Sequence, residues 1–400
     1  MRLTRKRVLA TMIVASGLLV AACGSSSSSS TTTTGASSSV PTVSATSFTN
    51  NFSEMTKLKP LAAEGKGNVA VILPDTVSSA RYTEFDAPYL TKALSDAGLS
   101  SSQFTVQNAQ GSDATQLTDA QSAISAGASV LVVDPLDSGV GASIESYAKS
   151  HGVAVIDYDR LTLGGTRQYY VSFNNVNVGT LIGKGLVSCV ANWKVAKPKL
   201  AVMVGAPTDN NATLFAQGYD AVLAPLFSSG AYVKEATPAG TWDPPTAETE
   251  FQQALTAHPD INAAVVPNDE NAAPIITYLK TLGIPANKFP ITGQDATLVG
   301  IQNIISGYQC GTVYKPIYLE AQAAAALALY LRAGKTAPAA LVNGSTTDTV
   351  SHVAVKSVLL TPEWVVPTTV ESTVVKDGFV PASQICTGAY AADCTKYGIS

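Results

Sequence analysis

Polar side chains that suit a hydroxyl-rich ligand follow most of the apolar runs in this chain. The run VAVID, which begins at Val153, is followed by Tyr158, Asp159 and Arg160. Comparable residues after the other runs are Asp75, Arg81 and Tyr82, then Asp209, Asn210 and Asn211, then Trp242, Asn268, Asp269, Gln294, Asp295 and Lys315. Carboxylates, amides and guanidinium groups can each bind two neighbouring hydroxyls, and flat rings suit apolar C–H faces. The set therefore predicts a binding site for a sugar.

Each of these residues also has a purely structural interpretation. Asp and Asn after a strand often form turns or helix caps. The residues to which this applies most directly are Asp75, Asp134, Asp209 and Asn210. Arg160 could simply neutralise Asp159, and Trp242 could be a core residue, although the neighbouring glycine and prolines favour a loop. The prediction of a site therefore depends on all of these residues following strands and so meeting at one edge of the fold.

The elements that would position these residues alternate between β-branched runs and amphipathic helices from Asn68 onward. Such alternation is typical of βαβ units with a parallel sheet. One set ends with VAVID and a second begins with YYVSF at Tyr169, so we predict an α/β fold with two doubly wound parallel-sheet lobes. The apolar helix 317–331 is assigned to the first lobe. Ligands of such sheets bind beyond the carboxyl ends of the strands.

The first 22 residues have the pattern of a secretory signal peptide. Four basic residues precede an uncharged apolar run from Val8 to Leu19. A run of about 15 apolar residues is short for a transmembrane anchor, which needs about 20. The end of the run, VAAC, resembles the lipobox of bacterial lipoproteins and predicts lipidation of Cys23. The Ser- and Thr-rich composition that follows predicts a flexible tether over 23–65, behind a lipid anchor in the cell membrane.

Charge and motif content argue against nucleic-acid binding and against catalysis. Loss of residues 1–22 removes four basic and no acidic residues, which lowers the net charge from −4 to −8. A chain with this negative charge is poorly suited to binding the phosphate backbone of nucleic acid. His151, His258 and His352 lie far apart, and neither a nucleophile elbow nor an HExxH motif occurs. We expect no catalytic residues, no cofactor and no metal site.

Four cysteines besides Cys23 predict two disulfide bonds in an exported protein. They are Cys189, Cys310, Cys386 and Cys394, and they allow three pairings. The short spacing of the last two favours a Cys386–Cys394 bond, which leaves Cys189 to pair with Cys310. Four buried thiols are the alternative.

Eight segments resemble bacterial periplasmic sugar-binding proteins of the ribose/galactose type, and D-xylose-binding proteins in particular. In chain order they are YDR (158–160), YYVSFNNVNVG (169–179), DNNATLF (209–215), PNDE (267–270), GQDA (293–296), TVYKPI (312–317), LLTP (359–362) and STVVKDGF (372–379). The resemblance implies a type I periplasmic binding protein that closes on a monosaccharide and delivers it to an ABC transporter permease. The implied lobes, joined by three crossovers, are 66–172 with 316–345 and 173–315 with 346–385, followed by a tail over 386–400.

The family's ligand contacts carry over to nine residues of this chain. They are Arg81, Tyr82, Asp159, Arg160, Asn211, Trp242, Asn268, Asp295 and Lys315. The chain departs from the family just before Arg81, where the family carries charged residues and this chain has Val77, Ser78, Ser79 and Ala80. This departure leaves room for a sugar other than xylose, with glucose, galactose and arabinose as the competitors.

Two other functions stay open at this point. The chain could be a sugar-sensing subunit. The sequence shows no helix-turn-helix segment, so such a subunit would have to signal through a separate membrane partner. A glycoside-acting enzyme would use two of the carboxylates. Against this, neighbouring Arg and Lys side chains keep carboxylates ionised instead of raising one pKa. We therefore expect an extracytoplasmic, lipid-anchored monomer that binds a monosaccharide.

Overall fold

The computed structural model describes residues 40–400, so the predicted signal peptide and the lipidation site at Cys23 lie outside the described residues. The strands are β1 (Asn68–Leu73), β2 (Phe104–Asn108), β3 (Ala128–Val133), β4 (Ala154–Tyr158), β5 (Tyr169–Phe173), β6 (Lys199–Val202), β7 (Val233–Ala236), β8 (Ala263–Val265), β9 (Thr312–Tyr314), β10 (Gly344–Thr347), β11 (Ala354–Leu360) and β12 (Glu363–Val365). The α-helices are α1 (Lys59–Glu64), α2 (Ala87–Asp96), α3 (Asp113–Ser125), α4 (Ser138–Ser150), α5 (Asn175–Asn192), α6 (Asn210–Ser228), α7 (Pro244–Ala257), α8 (Asp269–Thr281), α9 (Leu298–Ile305), α10 (Ile317–Arg332), α11 (Ala382–Ile385) and α12 (Ala391–Tyr397).

The first lobe is built on a seven-stranded sheet in the order β10-β11-β5-β4-β3-β1-β2, in which only β10 runs antiparallel to its neighbour. Successive residues of β1 face opposite sides, and both sides are buried. Val69, Val71 and Leu73 pack in the core that contains α10, and Ala70 and Ile72 pack in the core of α3 and α4. A strand covered by helices on both faces reads as a continuous apolar run, which is how this segment appears in the sequence.

The second lobe contains the parallel strands β7-β6-β8, which single parallel bridges at Ile291 and Gln294 connect to β9. Strand β12 pairs with β9 in the antiparallel direction. Helices α5 and α6 pack closely because both carry glycine at the contact. A Cβ added at Gly179 would lie 1.9 Å from the carbonyl oxygen of Phe215. The chain passes between the lobes three times, after β5, after β9 and after β11.

Two boundaries predicted from the sequence are wrong. Residues 40–65 are not all tether, because Phe48, Phe52, Met55 and Leu58 are buried in the same core as α10. The segment YYVSF, with which the second set of alternating elements begins in the sequence, forms β5 and pairs with β4, on the first-lobe side of the implied boundary at residue 172. Residues 346–360 also belong to the first lobe, where β11 adds to the free edge of β5 and β10 extends it.

Two disulfide bonds hold the second lobe and the tail. Cys189 in α5 is bonded to Cys310, just before β9, and Cys386 is bonded to Cys394. These are the two pairs that the spacing favours. Within residues 40–400 no helix is both long and apolar enough to span a bilayer. The same residues contain no group of three or more His, Cys, Asp or Glu side chains that could hold a metal ion.

Candidate functional site

One cavity lies beyond the carboxyl ends of strands from both lobes. It is lined by all nine residues singled out from the sequence and by Ser78, Ser79, Asp209, Phe215 and Gln294. The first lobe supplies Arg81 and Tyr82 after β1 and Asp159 and Arg160 after β4, and the second lobe supplies the other five. The structure therefore brings the nine residues together at the edge to which the strand-end rule points.

Arg81 is held by three carboxylates of the first lobe. Its Nε and Nη2 donate to the two oxygens of Asp86 at 2.8 Å each, and Nη1 donates to Asp159 Oδ1 at 2.8 Å. Nη2 also donates to Glu320 Oε2 at 2.6 Å. Residues Tyr82–Asp86 form a π-helical turn, a distortion that is frequent at functional sites. Burial lowers the pKa of Arg81, but the three carboxylates together raise it well above its usual value, so the guanidinium is charged.

The backbone of Asp159 is fixed by three donors. Its carbonyl oxygen accepts hydrogen bonds from Tyr170 Oη and Ser172 Oγ, both at 2.8 Å, and from Asn211 Nδ2 at 3.0 Å. These bonds hold a left-handed conformation with a φ of 56°, which Asp adopts more readily than most residues. Burial raises the pKa of the Asp159 carboxyl, but Arg81 and other cations bring it below its usual value. The side chain is therefore an ionised acceptor.

Tyr82 lies beside two guanidinium groups. The central carbons of Arg81 and Arg160 are each 5.6 Å from the centroid of its ring, within the range of cation–π attraction. Arg160 Nη2 donates to the Tyr82 hydroxyl at 3.0 Å, and this hydroxyl donates to Asp159 Oδ2 at 3.3 Å. Arg160 Nε lies 3.4 Å from Asp209 Oδ2, an oxygen of the second lobe. The ion pairs of Arg160 are with Asp209 and, at 3.7 Å from Nε, with Asp134, so Arg160 does not simply neutralise Asp159.

Trp242 presents a half-buried ring to the cavity from the second lobe. Its Nε1 donates to Asp209 Oδ2 at 3.0 Å, and its ring meets Phe215 edge-on with centroids 6.4 Å apart. A Cβ at Gly205 would lie 2.1 Å from the ring, so the ring needs a glycine at that position. Asp209 also accepts from the backbone N–H of Asn211 and caps α6. The functional and the structural interpretations of Asp209 therefore both apply.

Lys315 and Asp295 form a buried ion pair, with Nζ 3.0 Å from Oδ1. Ser79 Oγ of the first lobe lies within hydrogen-bonding distance of Asp295 Oδ2, at 3.1 Å. Asn268 caps α8 and donates from Nδ2 to the carbonyl oxygen of Ser78 at 3.1 Å. Burial lowers the pKa of Lys315, but Asp295 more than offsets this effect, so the pKa is raised and the amine stays charged.

Two of the carboxylates that hold Arg81 were missed by the sequence reasoning. Asp86 and Glu320 lie in helical segments and do not follow a strand, so the strand-end rule could not select them. Glu320 had one available signal, because it is a single acid in the first turn of an Ala- and Leu-rich helix whose apolar residues predict burial on every side.

The cavity combines balanced charge with two aromatic rings. Its lining contains three cationic side chains (Arg81, Arg160 and Lys315) and three carboxylic ones (Asp159, Asp209 and Asp295). This balance suits a neutral ligand better than an anion or a cation. Ionised carboxylates only accept hydrogen bonds, and Arg and Lys only donate them, so the cavity can satisfy both functions of a hydroxyl group.

Comparisons with known proteins agree with this geometry. Residues 69–336 match the model of the periplasmic binding protein domain. The D-xylose-binding periplasmic protein of Escherichia coli (strain K12) is 37% identical over 286 residues, which are 70% of this chain and 82% of that protein. The multiple sugar-binding periplasmic receptor ChvE of Rhizobium radiobacter is 30% identical over 345 residues, which are 82% of this chain and 94% of that protein.

Solved structures show the same fold. A carbohydrate transporter solute binding protein from Chloroflexus aurantiacus, in complex with D-glucose, superposes with a TM-score of 0.69 at 26% identity over 79% of this chain and 97% of that chain. An ABC transporter solute binding protein from Clostridium phytofermentans, with bound β-D-glucose, gives 0.70 at 25% identity over 79% and 99%. These relatives are binding proteins and not enzymes. The α/β fold and the resemblance seen in the sequence are confirmed, and the chain belongs to the periplasmic binding protein family.

Proposed function

We propose that this chain is an extracytoplasmic receptor that closes on one monosaccharide, an aldose of the xylose type, and delivers it to an ABC transporter permease. The observation that carries the proposal is a cavity to which both lobes contribute hydrogen-bonding side chains and an aromatic ring. Two relatives support it, since one is a D-xylose-binding protein and the other a multiple sugar-binding receptor. Anchoring through a lipid on Cys23 is part of the same proposal.

The nine predicted residues divide into three roles. Asp159 and Asp295 accept hydrogen bonds from sugar hydroxyls, and Asn211 supports Asp159. Arg81, Arg160, Asn268 and Lys315 are the donors. The rings of Tyr82 and Trp242, one on each lobe, pack on the apolar C–H faces of the sugar.

The two lobes are expected to close on the sugar because each lobe carries only some of the groups that bind it. A ligand that bridges them stabilises the closed arrangement by its higher affinity for that arrangement. A buried group that the ligand leaves without a partner costs about 1 to 3 kcal/mol. A sugar that satisfies the donors and acceptors of both lobes is therefore favoured over one that lacks a hydroxyl at any of these positions.

Several sugars compete for the role of ligand. Ser78 and Ser79 form part of the cavity wall in the segment where related proteins carry charged residues, so their short side chains leave room for a hexose. D-Xylose, D-glucose, D-galactose and L-arabinose are the candidates. The glucose-bound structures of relatives make a hexose ligand a direct competitor of xylose.

Thermal unfolding with a panel of these four sugars tests the proposal. At least one sugar is expected to raise the Tm, because a ligand that binds only the native state stabilises it by about 4 kcal/mol at 1,000 times its Kd. D-Glucuronate is the matched control, since it presents the glucose ring with a carboxylate in place of the C6 hydroxymethyl group to a charge-balanced cavity. An unchanged Tm with all pentoses and hexoses would contradict the proposal. Delivery is tested separately, by uptake of the identified sugar in cells that lack this protein.

A further inference from the structure

The two lobes also meet at a contact that lies beside the cavity, which we call the clasp. The clasp consists of Ser79 and Ala80 in the first lobe and Glu270 in the second. Glu270 Oε1 accepts a hydrogen bond from the backbone N–H of Ala80 at 2.9 Å. Ser79 Oγ lies 3.1 Å from this oxygen and 3.1 Å from Asp295 Oδ2, and its one proton can be donated to only one of the two. Neither Glu270 nor Ala80 lines the cavity. The clasp therefore joins the lobes through a side chain that does not line the proposed sugar site.

The Glu270 carboxylate lies between two helix N-termini, one from each lobe. Glu270 is in the first turn of α8, which Asn268 caps. The carbonyl oxygen of Ala80 accepts from the N–H of Glu84 at 3.0 Å, so Ala80 starts the helical segment that carries Arg81. Burial raises the pKa of the Glu270 carboxyl well above its usual value, and Asp295 and Asp269 add to this shift. The N–H of Ala80 and the two helix N-termini act in the opposite direction and favour the ionised form.

The hydrogen bond from Ala80 helps to offset the burial of the Glu270 carboxyl. The second oxygen, Oε2, is buried and has no hydrogen-bond partner among residues 40–400. Ala80 belongs to the first lobe, so its hydrogen bond to Oε1 would be lost if the lobes separated. The clasp thus contributes to stability only while the lobes are together.

We infer that Glu270 is a positioning residue that favours lobe closure whichever sugar is bound, so that it sets the overall affinity while the cavity residues set the choice of sugar. This inference rests on the proposed function. When only a fraction of the protein is in the binding-competent closed state, the apparent Kd equals the intrinsic Kd divided by that fraction. A change in the clasp alters this fraction and leaves the contacts to each sugar in place.

The test compares Glu270→Ala with Glu270→Gln and with Glu84→Ala, which removes an exposed glutamate from the site helix. Glu270→Ala is expected to raise the Kd of every bound sugar by the same factor, roughly 3- to 10-fold for the loss of one hydrogen bond. Glu270→Gln keeps an oxygen that can accept from Ala80, so its Kd values stay near those of the native chain. Glu84→Ala leaves them unchanged.

Hydrogen exchange at the Ala80 amide in the sugar-free protein gives an independent readout. This amide is expected to exchange faster in Glu270→Ala than in the native chain and in Glu84→Ala. Equal exchange, an unchanged Kd in Glu270→Ala, or a Kd that changes by different factors for different sugars would overturn the inference. If the native chain binds no sugar, the proposed function fails, and the exchange measurement alone then decides whether the clasp exists.

Discussion

Asn211 of the second lobe donates a hydrogen bond from Nδ2 to the backbone carbonyl of Asp159 in the first lobe, at 3.0 Å. Its Oδ1 accepts from Asn175 Nδ2 at 2.8 Å and lies 3.3 Å from the Tyr170 hydroxyl oxygen. Both ends of the amide are thus bonded to protein. A residue predicted as a ligand contact therefore also supports the backbone that carries Asp159 and Arg160.

Replacement of this amide is expected to lower stability and to weaken sugar binding. In Asn211→Ala the buried Asn175 amide loses an acceptor, which costs about 1 to 3 kcal/mol in free energy of unfolding, and Asp159 is held less firmly. Urea denaturation and sugar titration measure the two effects. Asn192→Ala, on an exposed face of α5, is the matched control. Native stability in Asn211→Ala would show that Tyr170 and Ser172 suffice to hold the Asp159 carbonyl.

Asp295 is expected to be required for sugar binding. Asp295→Asn keeps the shape of the side chain but removes the charge that accepts hydrogen bonds and pairs with Lys315. The sugar-dependent rise in Tm should disappear, while unfolding stays cooperative. Asp113→Ala, at an exposed position of α3, should keep the full rise. A normal rise in Asp295→Asn would mean that the GQDA segment has only a structural role.

Glu320 is expected to make stability fall as the pH rises from 5 to 8. Burial raises the pKa of Glu320 in the folded chain to about 8, although Arg81 opposes this shift, and burial raises the pKa of Asp269 to about 7. Both pKa values lie above those of unfolded carboxyls, so the folded state holds protons that the unfolded state has released. Stability that is present at low pH is therefore lost as the pH rises through these values.

The variant Glu320→Gln isolates the contribution of this residue, because the amide does not titrate and its oxygen can still accept from Arg81. The free energy of unfolding, measured with urea at pH 5, 6.5 and 8, should fall less steeply in Glu320→Gln than in the native chain. Glu84→Gln should keep the native slope. Equal slopes in all three proteins would rule out a raised pKa for Glu320.

The two disulfide bonds are expected to differ in their contribution to stability. Cys189 and Cys310 are 121 residues apart, whereas Cys386 and Cys394 are 8 apart. On the chain-entropy account, loss of the longer loop costs roughly 5 kcal/mol and loss of the shorter one roughly 2.5 kcal/mol. Urea denaturation of the two Cys→Ala double variants measures the difference. A larger loss from the Cys386 and Cys394 variant would contradict this account.

The strand-end residues of the site could be predicted from the sequence because their position follows from chain order alone. Arg81, Asp159 and Lys315 each follow an apolar run, and parallel strands bring all such residues to one edge. The partners of Arg81 could not be found in this way. Asp86 and Glu320 reach it only because a π-helical turn and the packing of α10 place them there, and neither leaves a periodic pattern in the sequence.

The predicted domain boundaries were wrong in two situations. In one, composition was used without attention to the spacing of apolar residues, and in the other, a strand could join the open edge of either sheet. The Ser- and Thr-rich composition justifies a tether, but Phe48, Phe52, Met55 and Leu58 recur every three or four residues, a regular apolar spacing that a tether lacks. Only Met55 and Leu58 lie in a helix, the short 3-10 helix Ser53–Leu58. The run that forms β11 carries no signal for the edge that it joins. Its pairing with β5 is decided by tertiary packing.

The N-terminal segment enters the fold at the far end of α10. The Tyr330 hydroxyl donates to the carbonyl oxygen of Pro41 at 2.6 Å, near the last turn of this helix. The first turn of α10 lies two residues beyond Lys315 in the cavity, and its 16 residues span about 24 Å. The described part of the chain therefore starts at the end of α10 that is remote from the cavity, so a tether attached there would leave the cavity entrance unobstructed.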